Sequence, residues 1–109
     1  MKYVRVAGTG ELPPNTMIGV VVNGKDVLLA NVDGSYYAVS NTCTHAGGSL
    51  SRGILRNGIV TCPNHGAQFN VKTGEAVGET RIGSGKIRPG DGECYSVKVE
   101  GTDILVGVP

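Results

Sequence analysis

Apolar residues in this chain come in short runs, each cut off by a turn signal. Residues 17–22 and 27–30 are two such runs, separated by Asn23-Gly24. Asn-Gly favours a two-residue hairpin turn because both turn positions need positive φ. Asp33-Gly34 repeats the signal before residues 36–39, and Asn57-Gly58 repeats it between residues 53–56 and 59–61. Residues 68–71 run to a turn at Thr73-Gly74. Residues 95–100 alternate with period two, as a half-buried strand does, and Gly101-Thr102-Asp103 turns them into residues 104–106. Residues 4–6 predict an opening strand, while Pro13-Pro14 blocks ladder pairing within residues 8–15. Residues 83–92 are Gly-rich and hold Pro89, which predicts a loop. The pattern is that of an all-β chain. It predicts an antiparallel β-sandwich with a small hairpin subdomain, organised as one domain over residues 1–109.

Composition narrows the functional classes. The chain has 109 residues, a formal net charge of +1 and 17% charged residues, with no basic footprint for nucleic acid and no block of like charge. The start, Met1-Lys2-Tyr3-Val4-Arg5-Val6, lacks a long apolar stretch, so no signal peptide is expected. No run approaches the ~18 apolar residues of a membrane span. Both observations predict a cytoplasmic protein without membrane association. Three cysteines are an odd number and argue against a secreted disulfide scaffold.

The candidate chemistry lies in two short boxes, Cys43-Thr44-His45 and Cys62-Pro63-Asn64-His65, which hold the chain's only two histidines. Cys94 is left over and reads as a packing or surface thiol. The boxes sit at the two ends of the hairpin turning at Asn57-Gly58, and a hairpin returns its ends to one place. Two thiolates with two imidazoles suit a mixed-ligand [2Fe–2S] centre. Four thiolates and two sulfides around two ferric ions leave two surplus negative charges. Replacing two thiolates by neutral imidazoles removes both, which raises the reduction potential. Glycines at 47, 48 and 66 let backbone N–H groups approach sulfur closely. Zinc is the alternative metal, as the staple of an interaction module. Its usual structural spacings open with paired cysteines or close with paired histidines, and neither occurs here.

Cys43-Thr44-His45-Ala46-Gly47-Gly48 and Cys62-Pro63-Asn64-His65-Gly66 resemble the two cluster-binding boxes of Rieske proteins. The resemblance implies a Rieske fold, one [2Fe–2S] cluster, and Cys43, His45, Cys62 and His65 as its ligands. It also indicates a subclass. Members of the respiratory cytochrome bc type carry a second Cys in each box, joined as a disulfide, where this chain has Gly48 and Asn64. High-potential members place Ser and Tyr where this chain has Ala67 and Phe69. Each missing hydroxyl bond to the cluster lowers the potential by about 60 mV if it is worth about 1.4 kcal/mol. Asn70 stands where an acidic residue is usual, and residues 78–93 are longer and richer in Gly than the family's loop. The subclass implied is a Rieske-type ferredoxin, an electron-transfer protein rather than an enzyme. Its implied partners are a flavoprotein reductase and a terminal oxygenase. The small subunit of a larger reductase, such as nitrite reductase, is the alternative within the family.

Imidazole ligation makes a testable statement about pH. An added electron raises the pKa of a ligating imidazole, because extra negative charge favours the protonated ring. Above the pKa of the oxidised state, reduction takes up a proton and the potential falls as pH rises. Voltammetry from neutral to alkaline pH is expected to show that fall; a flat trace contradicts imidazole ligation.

Overall fold

A computed structural model describes residues 2–42, 49–63, 67–77, 80–82, 85–87 and 93–108. Among these residues the strands are β1 (Lys2–Gly8), β2 (Thr16–Val22), β3 (Lys25–Val32), β4 (Ser35–Ser40), β5 (Ile54–Arg56), β6 (Ile59–Thr61), β7 (Gln68–Asn70), β8 (Ala76–Val77), β9 (Thr80–Ile82), β10 (Gly85–Ile87), β11 (Cys94–Glu100) and β12 (Asp103–Val108). Single turns of 3₁₀ helix occupy Thr9–Glu11 and Leu50–Arg52. The large sheet has the order β1-β12-β11-β4-β3-β2, the small sheet β5-β6-β7-β8, and β9 pairs with β10 alone. All pairings between strands are antiparallel.

The turns follow the local chemistry. Asn23 and Gly24 have φ of 50° and 76°, Asp33 and Gly34 53° and 94°, and Asn57 and Gly58 53° and 78°. Both central residues are left-handed in each, which matches the twist of the flanking strands. The side chain of Asn31 supports the second turn: its Oδ1 accepts the Gly34 N–H at 2.8 Å, and its Nδ2 donates to the Leu12 carbonyl at 2.8 Å. Asn70 supports the turn after β7, accepting the Lys72 N–H on Oδ1 at 2.9 Å.

Strand β3 explains why residues 27–30 are apolar without alternation. Such a run is expected of a strand buried on both faces. Val27 and Leu29 join Val22, Ala38, Ile104, Val106 and Val108 in one core. Leu28, Ala30 and Val32 join Val39, Val60, Phe69, Val71 and Ala76 in the other. The second core is the layer between the two sheets, as the sandwich expectation requires. The first lies within the large sheet, which curls until its edge strands β1 and β2 come into contact.

Two elements differ from the sequence reading. The opening strand spans Lys2–Gly8 and pairs with β12 beyond the three residues expected, across a register irregularity between Arg5 and Ala7. Within residues 83–92, Gly85–Ile87 is a strand paired with Thr80–Ile82. Its backbone ladder forms although Gly85 lowers strand propensity, because the paired residues are close in sequence. Residues 83–84 and 88–92 of that loop expectation lie outside the described residues.

The two-faced strand sets the stability prediction. Leu28 is fully buried between the sheets, whereas Val21 on the edge strand β2 is 73% exposed. Leu28→Ala is expected to cost about 2–5 kcal/mol, and Val21→Ala less than about 0.5 kcal/mol. Urea denaturation of the two variants measures the contrast.

Candidate metal centre

The first box leaves the large sheet at the end of β4, and the second joins β6 to β7. Cys43, His45 and His65 lie outside the described residues, whereas Cys62 lies within them. The structure therefore tests the bases of the two loops. Thr42 and Ser49 form an antiparallel bridge, so residues 43–48 start and end side by side. The Cys62 N–H donates to the Ala67 carbonyl at 2.6 Å, which closes residues 63–66 in the same way. Below that bond β6 and β7 pair in register, with Thr61 opposite Gln68.

Gly53 joins the two bases. Ile54 pairs with Thr61 across the β5–β6 hairpin, which puts Gly53 beside the start of the second loop. A Cβ built on Gly53 would collide with the Thr61 carbonyl oxygen, so the two backbones meet with no room for a side chain. Its φ of −89° is open to any residue; closeness alone demands glycine. Immediately before it, Leu50–Arg52 turns once and the Gly53 N–H donates to the Leu50 carbonyl at 2.9 Å. The hairpin thus brings Gly53, four residues after Ser49, beside Thr61, the residue before Cys62.

Cys62 is 1% exposed and belongs to the inter-sheet core with Leu50, Val60, Ala67 and Phe69. Apolar surroundings disfavour an isolated thiolate and favour one bound in a site of low net charge. The donor set fits a mixed-ligand [2Fe–2S] cluster on that ground: its oxidised form is neutral with two thiolates and two imidazoles. Ala67 and Phe69, beside Cys62 in the core, bring no hydroxyl to the site. Among the described residues, no three His, Cys, Asp or Glu side chains gather into another metal site.

Cys94 is exposed, and its Sγ lies 3.5 Å from the Lys72 carbonyl, which fits the surface-thiol reading. Next to it Glu93 ties the start of β11 to the end of β4, accepting the Ser40 N–H at 2.8 Å. Burial, then the hydrogen bond to Glu93, push the Tyr95 phenol up to about 12. Tyr95 therefore stays a neutral donor across the physiological range.

Several residues that shape the site carry no signal in the linear pattern. Asn41, two residues before Cys43, is 4% exposed. Its Oδ1 accepts the Ser51 N–H at 2.8 Å and its carbonyl accepts the Leu50 N–H at 2.7 Å. Its partners come from the far side of the loop and from β3, so only the folded chain reveals it.

Comparison with known proteins agrees with this geometry. The Rieske [2Fe-2S] domain family matches residues 2–89. A ferredoxin component of the naphthalene 1,2-dioxygenase system from Pseudomonas aeruginosa is 32% identical over 105 residues, covering 96% of this chain and 94% of that protein. Among solved structures, the ferredoxin of carbazole 1,9a-dioxygenase from Nocardioides aromaticivorans superposes with a TM-score of 0.82 at 32% identity, covering 97% of both chains. A chain from a complex of reduced oxygenase and oxidized ferredoxin in carbazole 1,9a-dioxygenase superposes at 0.79 with 30% identity, covering 95% of this chain and 91% of that one. The chain belongs to the Rieske [2Fe–2S] family, and the cofactor of that family is one [2Fe–2S] cluster. Its relatives are ferredoxin components, which are electron carriers.

Gly53 gives the prediction for this site. Gly53→Ala is expected to push the Thr61 carbonyl aside, lower iron and sulfide per chain, and cost about 1–3 kcal/mol of stability. Gly10→Ala, where an added Cβ meets nothing within 4 Å, is expected to leave both unchanged. Iron and sulfide assays with urea unfolding compare the two.

Proposed function

We infer that this chain is a Rieske-type ferredoxin. It takes one electron at a time from a flavoprotein reductase and delivers it to a terminal oxygenase. In this reading Cys43 and Cys62 hold one iron through thiolates and His45 and His65 hold the other through imidazoles. Residues 1–109 act as one Rieske domain. The observation that carries the reading is the juncture of Gly53 with Thr61, which brings the bases of two Cys/His loops together beside the buried Cys62. The likeness to ferredoxins over nearly their whole length supports a carrier rather than a catalyst, since such a chain needs no substrate pocket of its own.

When bound, the cluster supplies reversible one-electron chemistry. The protein's part is to hold the ligands. The Thr42–Ser49 bridge and the Cys62–Ala67 bond fix where each loop starts and ends. Rigid bases keep ligand positions alike in the two redox states, which lowers the reorganisation that accompanies electron transfer. No helix among the described residues is long and apolar enough to cross a membrane. A cytoplasmic location, with diffusion between reductase and oxygenase, fits the carrier role.

The test is an EPR spectrum of natively purified, dithionite-reduced protein. A rhombic signal with average g below the free-electron value and below that of all-thiolate clusters is expected. A colourless, EPR-silent protein with stoichiometric zinc after anaerobic preparation would overturn the reading and support the zinc-stapled module. Stable co-purification with a large redox subunit would instead favour the reductase-subunit alternative.

A further inference from the structure

We propose that Asn41, strapped to Asp26, is the positioning residue of the first ligand loop. It sets where residues 43–48 leave and rejoin the fold, and so how firmly Cys43 and His45 hold iron. The proposal rests on the ligand reading of Cys43 and His45.

One residue grips both ends of the loop. On its own side Asn41 is held to β3: its N–H donates to the Asp26 carbonyl at 3.0 Å and its Nδ2 to Asp26 Oδ1 at 3.2 Å. On the far side its carbonyl accepts the Leu50 N–H at 2.7 Å and its Oδ1 the Ser51 N–H at 2.8 Å. The orientation of the amide follows from chemistry. Ser51 N–H can only donate and the Asp26 carboxylate can only accept, so Oδ1 must face Ser51 and Nδ2 must face Asp26.

The surroundings are shaped for this strap. A Cβ on Gly19 would lie 2.8 Å from Ser51 Oγ and 3.0 Å from Asn41 Nδ2, so glycine on β2 makes the seat. An apolar side chain could fill the same buried space without a desolvation cost. What the amide adds is direction: it connects the segment after the loop to β3, the strand buried on both faces. The Thr42–Ser49 bridge closes the loop, and Asn41 anchors that closure to the sheet.

A donor–acceptor swap tests the strap. Asn41→Asp places a carboxylate against Asp26 and replaces attraction by repulsion. Adding Asp26→Asn restores both bonds with the roles exchanged, since the introduced amide donates to the introduced carboxylate, which still accepts from Ser51 N–H. Asp26→Ala removes the anchor at an exposed position and covers the case in which Asn41→Asp fails to fold. Three quantities are read: iron release to a chelator, the EPR g-values of the reduced holoprotein, and hydrogen exchange across residues 49–52.

Asn41→Asp is expected to release iron about tenfold faster and to shift the g-values. The double variant is expected to return to within about threefold of the parent rate with parental g-values. Asp26→Ala is expected to fall between and to lose exchange protection at Ser51. Parental release and g-values in Asn41→Asp or Asp26→Ala, or a double variant no better than Asn41→Asp, would overturn the proposal. Parent protein without a mixed-ligand EPR signal would sink the ligand reading instead. Exchange then decides the strap: protection at Ser51 lost in Asp26→Ala supports it, and protection retained overturns it.

Discussion

At Gly53 the chain passes so close to the Thr61 carbonyl that no side chain fits between them. That approach sets the segment that follows residues 43–48 beside the strand that leads into Cys62. It is reached because the Asn57-Gly58 turn fixes the register of β5 and β6, and the register puts Ile54 opposite Thr61. A slip of one residue would reverse every side chain of the hairpin. It would also withdraw Val60 from the inter-sheet core, where it is fully buried. The turn, the core and the Gly53–Thr61 approach therefore depend on the same register.

The small sheet has little core of its own. Its strands are two or three residues long, and it is stable because Val60, Phe69, Val71 and Ala76 pack on Leu28, Ala30 and Val39 of the large sheet. Strands β3 and β4 meet the first core with their other face, through Val27, Leu29 and Ala38. The two cores thus share a backbone layer, and burial that stabilises the large sheet also holds the strands from which residues 43–48 and 63–66 depart. Cys62 is part of that inter-sheet core, so packing fixes its position.

The fold was largely legible because its signals are local. Turn dipeptides at Asn23, Asp33 and Asn57 and the apolar run at residues 27–30 depend on nearest neighbours, and each corresponds to an observed turn or strand. The site was legible as far as residue type goes: two Cys and two His with short spacings are visible in any conformation. The supports were not. Gly53 is one of 18 glycines, and what singles it out is a carbonyl eight positions away. Asn41 resembles any loop asparagine until Asp26, 15 residues earlier, and Ser51, 10 residues later, are brought to it. The β9–β10 pairing escaped for the opposite reason: Gly-rich composition outweighed a short ladder in the reading.

Burial of Cys62 bears on the potential of a carrier built this way. Apolar surroundings penalise whichever redox state carries more charge. With two thiolates and two imidazoles the oxidised centre is formally neutral and the reduced one carries a negative charge. In the ligation proposed above, packing Cys62 among Leu50, Val60, Ala67 and Phe69 favours the oxidised state. Hydroxyl donors would offset that penalty by stabilising the reduced form, but Ala67 and Phe69 offer none. With that ligation, desolvation and missing donors act in one direction, toward a lower potential. A low potential makes the reduced protein a stronger donor, which is the property required for delivering an electron onward to an oxygenase.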